Sequence, residues 1–97
     1  MSEYVYIVVY EHKHGSDHVA TRTELGAYKV ATKWAHDSAV ERFEGEDMAA
    51  LDEVGTRLNA NPNSLEVQIE YIAKFEAIEQ NSFCQERFEV LERELID

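Results

Sequence analysis

The run Tyr4-Val5-Tyr6-Ile7-Val8-Val9-Tyr10 constrains this chain more than any other segment, because every residue in it is β-branched or aromatic. Such side chains lose rotamer freedom in a helix and pack well on a pleated surface, so the run reads as a strand ending at Glu11. An isolated strand has no partner for its backbone hydrogen bonds, so a second must lie close by. His18-Val19-Ala20-Thr21-Arg22-Thr23 is that candidate, and His14-Gly15-Ser16-Asp17 between them supplies turn chemistry. A turn centred on Gly15 and Ser16 pairs Lys13 with His18 and His12 with Val19. In that register Val5, Ile7, Val9 and Ala20 share one face, and Tyr4, Tyr6, Val8, Tyr10, His12 and His14 line the other.

The pattern then turns helical. Thr23 suits an N-cap and Glu24 the positive end of a helix. Leu25, Tyr28, Ala31, Thr32, Ala35, Ala39 and Phe43 recur at helical spacing, and Trp34 flanks them as a core residue. Glu44-Gly45-Glu46-Asp47 ends this helix, and Met48, Leu51, Val54 and Leu58 predict a second. The only proline, Pro62, sits in the loop Asn59 to Ser64. The last third reads two ways. Leu65, Val67, Ile69, Tyr71, Ala73, Phe75 and Ala77 alternate with polar residues, interrupted only by Ile72, which favours a strand. Glu, Gln, Lys and Ala fill the gaps, and Ser64 is a good helix cap. Cys84, Phe88, Leu91 and Leu95 then fit a helical stripe, while Phe88, Val90 and the Glu92/Glu94 pair fit a strand edge. Local pattern prefers strand followed by helix. Either order yields an α+β fold, with a small antiparallel sheet built from the N-terminal hairpin and one later strand. Two to three helices pack mainly on one face of that sheet, and 97 residues suit a single domain spanning 1–97.

Charge separates the chain into two parts. There are 20 Asp and Glu against 9 Lys and Arg, a net charge of -11. Residues 1–40 carry five acids and four bases, so the remaining residues hold a net -10. All four histidines lie in the near-neutral part. A field of this sign repels nucleic acid and anionic membranes and draws basic proteins. No apolar run approaches the ~18 residues of a membrane span, and no signal-peptide pattern is visible, so a cytoplasmic protein is expected. The lone Cys84 excludes a disulfide framework and a zinc knuckle, and beside Phe83 it reads as a buried thiol. Four scattered glycines make no phosphate loop, and neither Ser16 nor Ser82 sits in a nucleophile elbow.

The segment Val8-Val9-Tyr10-Glu11-His12-Lys13-His14-Gly15-Ser16-Asp17 resembles the opening of a set of short, uncharacterised phage and bacterial proteins with a V-V-Y-E-H-x-H-G-x-D hairpin. Their helix opened by Thr-Glu is matched at Thr23-Glu24, and their closing strand E-x-F-x-V-x-E-x-E-L at Glu86 to Leu95. The resemblance implies that 65–80 is helix and 86–95 strand. It carries no known activity. It implies a phage or mobile-element setting, in which small acidic proteins block host machinery, and so the host cell cytoplasm.

Three groups of residues are candidate sites. Glu41, Glu44, Glu46, Asp47, Asp52 and Glu53 form an acidic cluster whose spacing on a helical corner is comparable to that of phosphates along DNA. Tyr6, Tyr10, His12 and His14 form a second contact patch, or a homodimer face if the helices cover the valine face. His12, His14 and Asp17 are the candidate metal ligands, although secure sites show more ligands or helical spacing. The leading expectation is a small acidic, non-enzymatic phage-type binding protein without cofactor. It inhibits or occludes a basic, nucleic-acid-handling host defence protein by nucleic-acid mimicry, with no direct contact to nucleic acid or membrane. The alternative is a protein that binds or sequesters a nucleotide-like signal at a dimer seam, using the tyrosines with His12, His14, Arg22 or Lys13.

Overall fold

The computed structural model describes residues 3–80 and 86–95. Phe83 and Cys84, expected to pack inward, lie outside the described residues. Six elements follow in order: β1 (Glu3–His12), β2 (Gly15–Thr21), α1 (Glu24–Arg42), α2 (Glu46–Ala60), α3 (Leu65–Glu79) and β3 (Arg87–Leu95). The strands form one antiparallel sheet in the order β2-β1-β3, so the apolar N-terminal strand takes the centre. That is where its continuous β-branched and aromatic run is best shielded.

The hairpin closes earlier than its composition suggests. The turn is Lys13-His14, and His12 pairs with Gly15 rather than Val19. Gly15 takes φ +128°, a conformation that L side chains rarely adopt, directly after the turn. The His12 ring secures the tight turn from both sides. Its Nδ1 accepts the His14 backbone N–H at 3.2 Å, and its Nε2 lies 2.9 Å from Asp17 Oδ2. Every β2 partner is therefore four residues earlier than expected. Because four is even, the division of side chains between the two faces is unchanged.

Helix α1 begins where its cap chemistry says: Thr23 Oγ1 accepts from the Gly26 backbone N–H. It presents Ala27, Ala31, Ala35 and Ala39 inward, all fully buried. These short side chains let the helix lie close to the sheet and to α3. Gly45 at φ +58° turns the chain into α2, whose Leu51 and Val54 are buried as their spacing predicts. The last third follows the order that the resemblance implies, helix then strand, and reverses the local reading. Ser64 Oγ accepts from the Val67 N–H and caps α3. Of the seven alternating apolar residues only Tyr71 and Phe75 are buried, whereas Ile72, the one that breaks the alternation, is buried with them. Positions 68, 71, 72, 75 and 79 form a helical stripe, and that stripe wins because both α1 and β3 pack against it.

All three helices lie on one side of the sheet, over the Tyr6/Val8/Tyr10 face. Val8, Ala27, Ala31 and Ile72 form one core cluster, flanked by Tyr6, Trp34 and Phe88. Ala35, Ala39, Leu51, Val54, Tyr71 and Phe75 form a second cluster among the helices, and Phe88 packs against both. The expectation that helices could cover Val5, Ile7 and Val9 and leave the tyrosine stripe outside is not what the fold does. Tyr10 stacks on Phe88 at 4.6 Å and on Trp34 at 5.6 Å, and its hydroxyl finds an acceptor in Glu86. A tyrosine can be buried at little cost when its O–H is paired in this way. At the outer edge of β3, Glu76 Oε1 accepts the Phe88 N–H at 2.9 Å, which blocks a site where a foreign strand could add.

The helical facing of α3 has a direct test, because Ile69 and Phe75 would share one face of a strand. Phe75→Ala should cost about 3–5 kcal/mol in urea denaturation. Ile69→Ala, at a position 42% exposed, should cost less than about 1 kcal/mol.

Candidate functional site

The acidic cluster is exposed throughout. Glu41 lies in the last turn of α1, Glu44 in the connection, and Glu46 and Asp47 in the first turn of α2, so these four gather at one corner. Glu46 and Asp47 also favour the positive end of α2, a local stabilisation of about 0.3–1 kcal/mol each. Glu53 follows Glu46 two turns along the same side of α2. Asp52 is turned away, towards a groove between α1 and α2. Among the described residues none of the six takes part in an ion pair.

The reason lies with Arg42, the only base in the segment 41–53. Its guanidinium turns inward. Nη2 donates to Glu79 Oε1, lies 3.2 Å from Glu86 Oε1, and donates to Ser38 Oγ at 2.8 Å. Ser38 Oγ in turn donates to Glu86 at 2.6 Å, and the Tyr10 hydroxyl donates to the same carboxylate. Glu79 is 1% exposed, and its Oε2 has no partner among the described residues. This cluster joins α1, α3, β1 and the start of β3. Burial, reinforced by the Glu86 carboxylate, pushes the Tyr10 hydroxyl up to about 12.

The hairpin patch divides in two. Tyr6 and Tyr10 are half-buried beneath the helices, so they are not an open contact surface. His14 is exposed and His12 half-buried, with ring centroids 6.4 Å apart. Both ring nitrogens of His12 are occupied: Nδ1 as an acceptor from the turn, which sets Nε2 as the donor to Asp17. A metal at His12 would displace one of these contacts, and no group of three or more ligand side chains converges among the described residues.

Sequence reasoning missed the groove between α1 and α2. The two helices diverge over α3, leaving a cleft of about 730 Å³. Lys29, Lys33 and His36 line one wall, Thr56 and Asn59 the other, and Gln68 and Tyr71 the floor. Lys29 Nζ donates to Asn63 Oδ1 at 2.7 Å, and Gln68 is held by Thr32 and by the Pro62 carbonyl. The Tyr71 hydroxyl lies 3.3 Å from His36 Nδ1, and burial together with the nearby Asp52 charge pushes it up to about 12. The signal that could have found this wall is the spacing 29, 33, 36, which puts all three basic residues on one side of α1.

The chain matches no known protein-family model, no curated protein and no solved structure.

Burial raises the pKa of four tyrosines, and the two raised furthest, Tyr10 and Tyr71, carry a pH signature. A folded pKa above the unfolded value of about 10 means stability that is complete below pH 10. It is lost as pH rises from about 10 through about 12, because the unfolded chain ionises first. Tyrosinate absorbance should therefore show two residues titrating late, together with cooperative alkaline unfolding in that window. Tyr10→Phe should leave one late titration.

Proposed function

We propose that this chain is a non-enzymatic acidic binding protein that occludes a basic, nucleic-acid-handling protein through the α1–α2 corner. The observation that carries this reading is the inward turn of Arg42, which leaves Glu41, Glu44, Glu46 and Asp47 exposed without a counter-charge among the described residues. Arg57, the next base along α2, is likewise engaged, with Glu70 at 2.7 Å. A surface of closely set carboxylates presents the charge pattern that Lys and Arg clusters use to grip phosphates, so a nucleic-acid site would accept it. Glu53 extends the strip along α2. The host defence machinery of a bacterial cell, met in the cytoplasm, is the setting that the phage-like hairpin suggests for such a partner.

Affinity capture from host lysate should recover a nucleic-acid-binding protein at low salt, and its dissociation constant should rise more than ~tenfold between about 0.05 and about 0.2 M salt. Glu41→Lys with Glu44→Lys, neither of them in the first turn of α2, should abolish capture without lowering the melting transition. Binding indifferent to salt would sink the mimicry reading.

A second reading has its own supporting observation. The groove is of ligand size and sets Lys29, Lys33 and His36 along one wall, with Asp52 also in its lining, in an otherwise acidic protein. It suits a small anionic ligand such as a nucleotide-like signal, held in the groove rather than at a dimer seam. Nucleoside phosphates should then raise the melting temperature, and Lys29→Ala with Lys33→Ala should remove that rise while leaving the lysate capture unchanged.

A further inference from the structure

With every helix on one side, the opposite face of the sheet is left without a covering layer. The strand register sets Val5, Ile7, Val9, Ala20, Leu91 and Leu95 on that face. Both core clusters take their sheet residues from the other side, so none of these six contributes to the described core. Leu95 is 48% exposed and Ala20 is exposed, while the central residues are screened only by their neighbours on adjacent strands. A sheet with one face solvated normally places polar residues there. Here the middle of the face is aliphatic, while Glu3, Glu11, His18, Arg87, Glu89 and Arg93 share its margins, and the molecule is thin, with its shortest extent at 16 Å. An apolar patch centred on Val5, Ile7, Val9 and Leu91 and rimmed by charged residues marks an interaction surface.

We propose that this face is covered by a second copy of the chain, forming a two-fold sheet-on-sheet dimer. The charges at its margin supply the argument. Ile7 pairs with Ala20 on one side and Leu91 on the other, and so marks the middle row. One row away Val5 is opposite Arg93, and one row away in the other direction Val9 is opposite Glu89. Neither Arg93 nor Glu89 belongs to an ion pair among the described residues. A two-fold axis through the middle row and across the strands lays β1 over β1 and β3 over β3 with their directions reversed. Ile7 then meets Ile7, Val5 meets Val9, and Arg93 of each copy stands over Glu89 of the other. The three middle rows of β1 and β3 are therefore self-complementary, as an isologous interface must be. The end rows set Glu3 over Glu11, whose charge Arg87 compensates, and β2 sets His18 over the Arg22 end. A two-fold axis along the strands would bring β3 over β2 and set Arg93 against the Arg22 end of the other copy, a contact of like charges. The sheet twist keeps the packing within about 30° of aligned and about 10 Å apart.

The size is consistent with association that is specific but reversible. Three strands about 4.8 Å apart and about 30 Å long give a footprint of about 450 Å² per copy. The pair covers roughly 900 Å² before side-chain relief is counted, close to the lower bound for specific interfaces and below that of obligate dimers. The acidic corner and the groove lie on the helical side, so this dimer leaves both accessible and presents two of each. It does not depend on the acidic-corner reading. Salt separates the two, because screening relieves repulsion between two chains of charge -11 and should preserve or strengthen the dimer.

Sedimentation of the full chain, with reductant present so that Cys84 cannot cross-link copies, tests the proposal. A concentration-dependent monomer–dimer equilibrium is expected that Ile7→Lys shifts fully to monomer, with the circular dichroism spectrum unchanged. Should Ile7→Lys fail to fold, the exposed charge pair still decides. Glu89→Arg or Arg93→Glu alone should weaken dimerisation about three- to tenfold, since each affects two symmetric contacts. The double exchange should restore it. A monomer at every concentration up to about 1 mM, a dimer indifferent to Ile7→Lys in the folded variant, or single and double charge variants that associate alike would overturn the proposal.

Discussion

The arrangement of this molecule depends on the placement of one guanidinium group. Arg42 stands at the end of α1 and brings together Glu79 at the end of α3 and Glu86 at the entry to β3, with Ser38 and Tyr10 completing the hydrogen bonds. The two acids bracket the segment that carries the chain from the helical layer back to the sheet. Removing one partner of such a buried pair typically costs about 3–5 kcal/mol, because the remaining charge is left without compensation. Its net contribution relative to a well-packed apolar cluster is smaller, since taking charges out of water is itself expensive. What the cluster supplies is selectivity: an alternative packing of α1 against α3 would leave two buried carboxylates unpaired.

The same placement connects the fold to the surface. A base that neutralises the interior is not available outside, so the acidic corner keeps its full charge. Tyr10 illustrates the other half of this coupling. Because Glu86 offers an acceptor, the aromatic stripe can be buried beneath the helices, and the aliphatic face of the same strand is turned to the outside. The protein thus presents three surfaces of different chemistry: a carboxylate corner, a groove with two lysines and a histidine along one wall, and an open sheet face with an aliphatic middle. Each arises because the helices occupy one side only and because α1 and α2 diverge above α3.

Much of the fold was legible in the residues. The β-branched run, the Thr23 cap, the alanine spacing of α1 and the Gly45 break are local signals, and each acts on backbone geometry within a few residues. The hairpin was legible in its existence but not in its register, because the Gly15-Ser16 turn that composition favours competes with the Lys13-His14 turn that forms. The choice was made by a glycine at φ +128° and by a histidine ring bonded on both sides. Residues 65–77 were misread locally for a different reason. Apolar residues there satisfy a period of 2 and a period of 3.6 at once, and only contact with α1 and β3 selects between them.

The candidate surfaces divide in the same way. The sequence by itself determined that the chain carries its negative charge after residue 40, that it begins with a hairpin, and which side chains of each strand share a face. These follow from composition and from the two-residue period of a strand, which need no knowledge of distant partners. Only the tertiary structure decided which of those faces the helices would cover, where Arg42 would direct its charge, and that Lys29, Lys33 and His36 would overlook a groove. Those outcomes depend on pairing between residues far apart in the chain, such as Tyr10 with Glu86 and Arg42 with Glu79, and no local pattern encodes such a pairing.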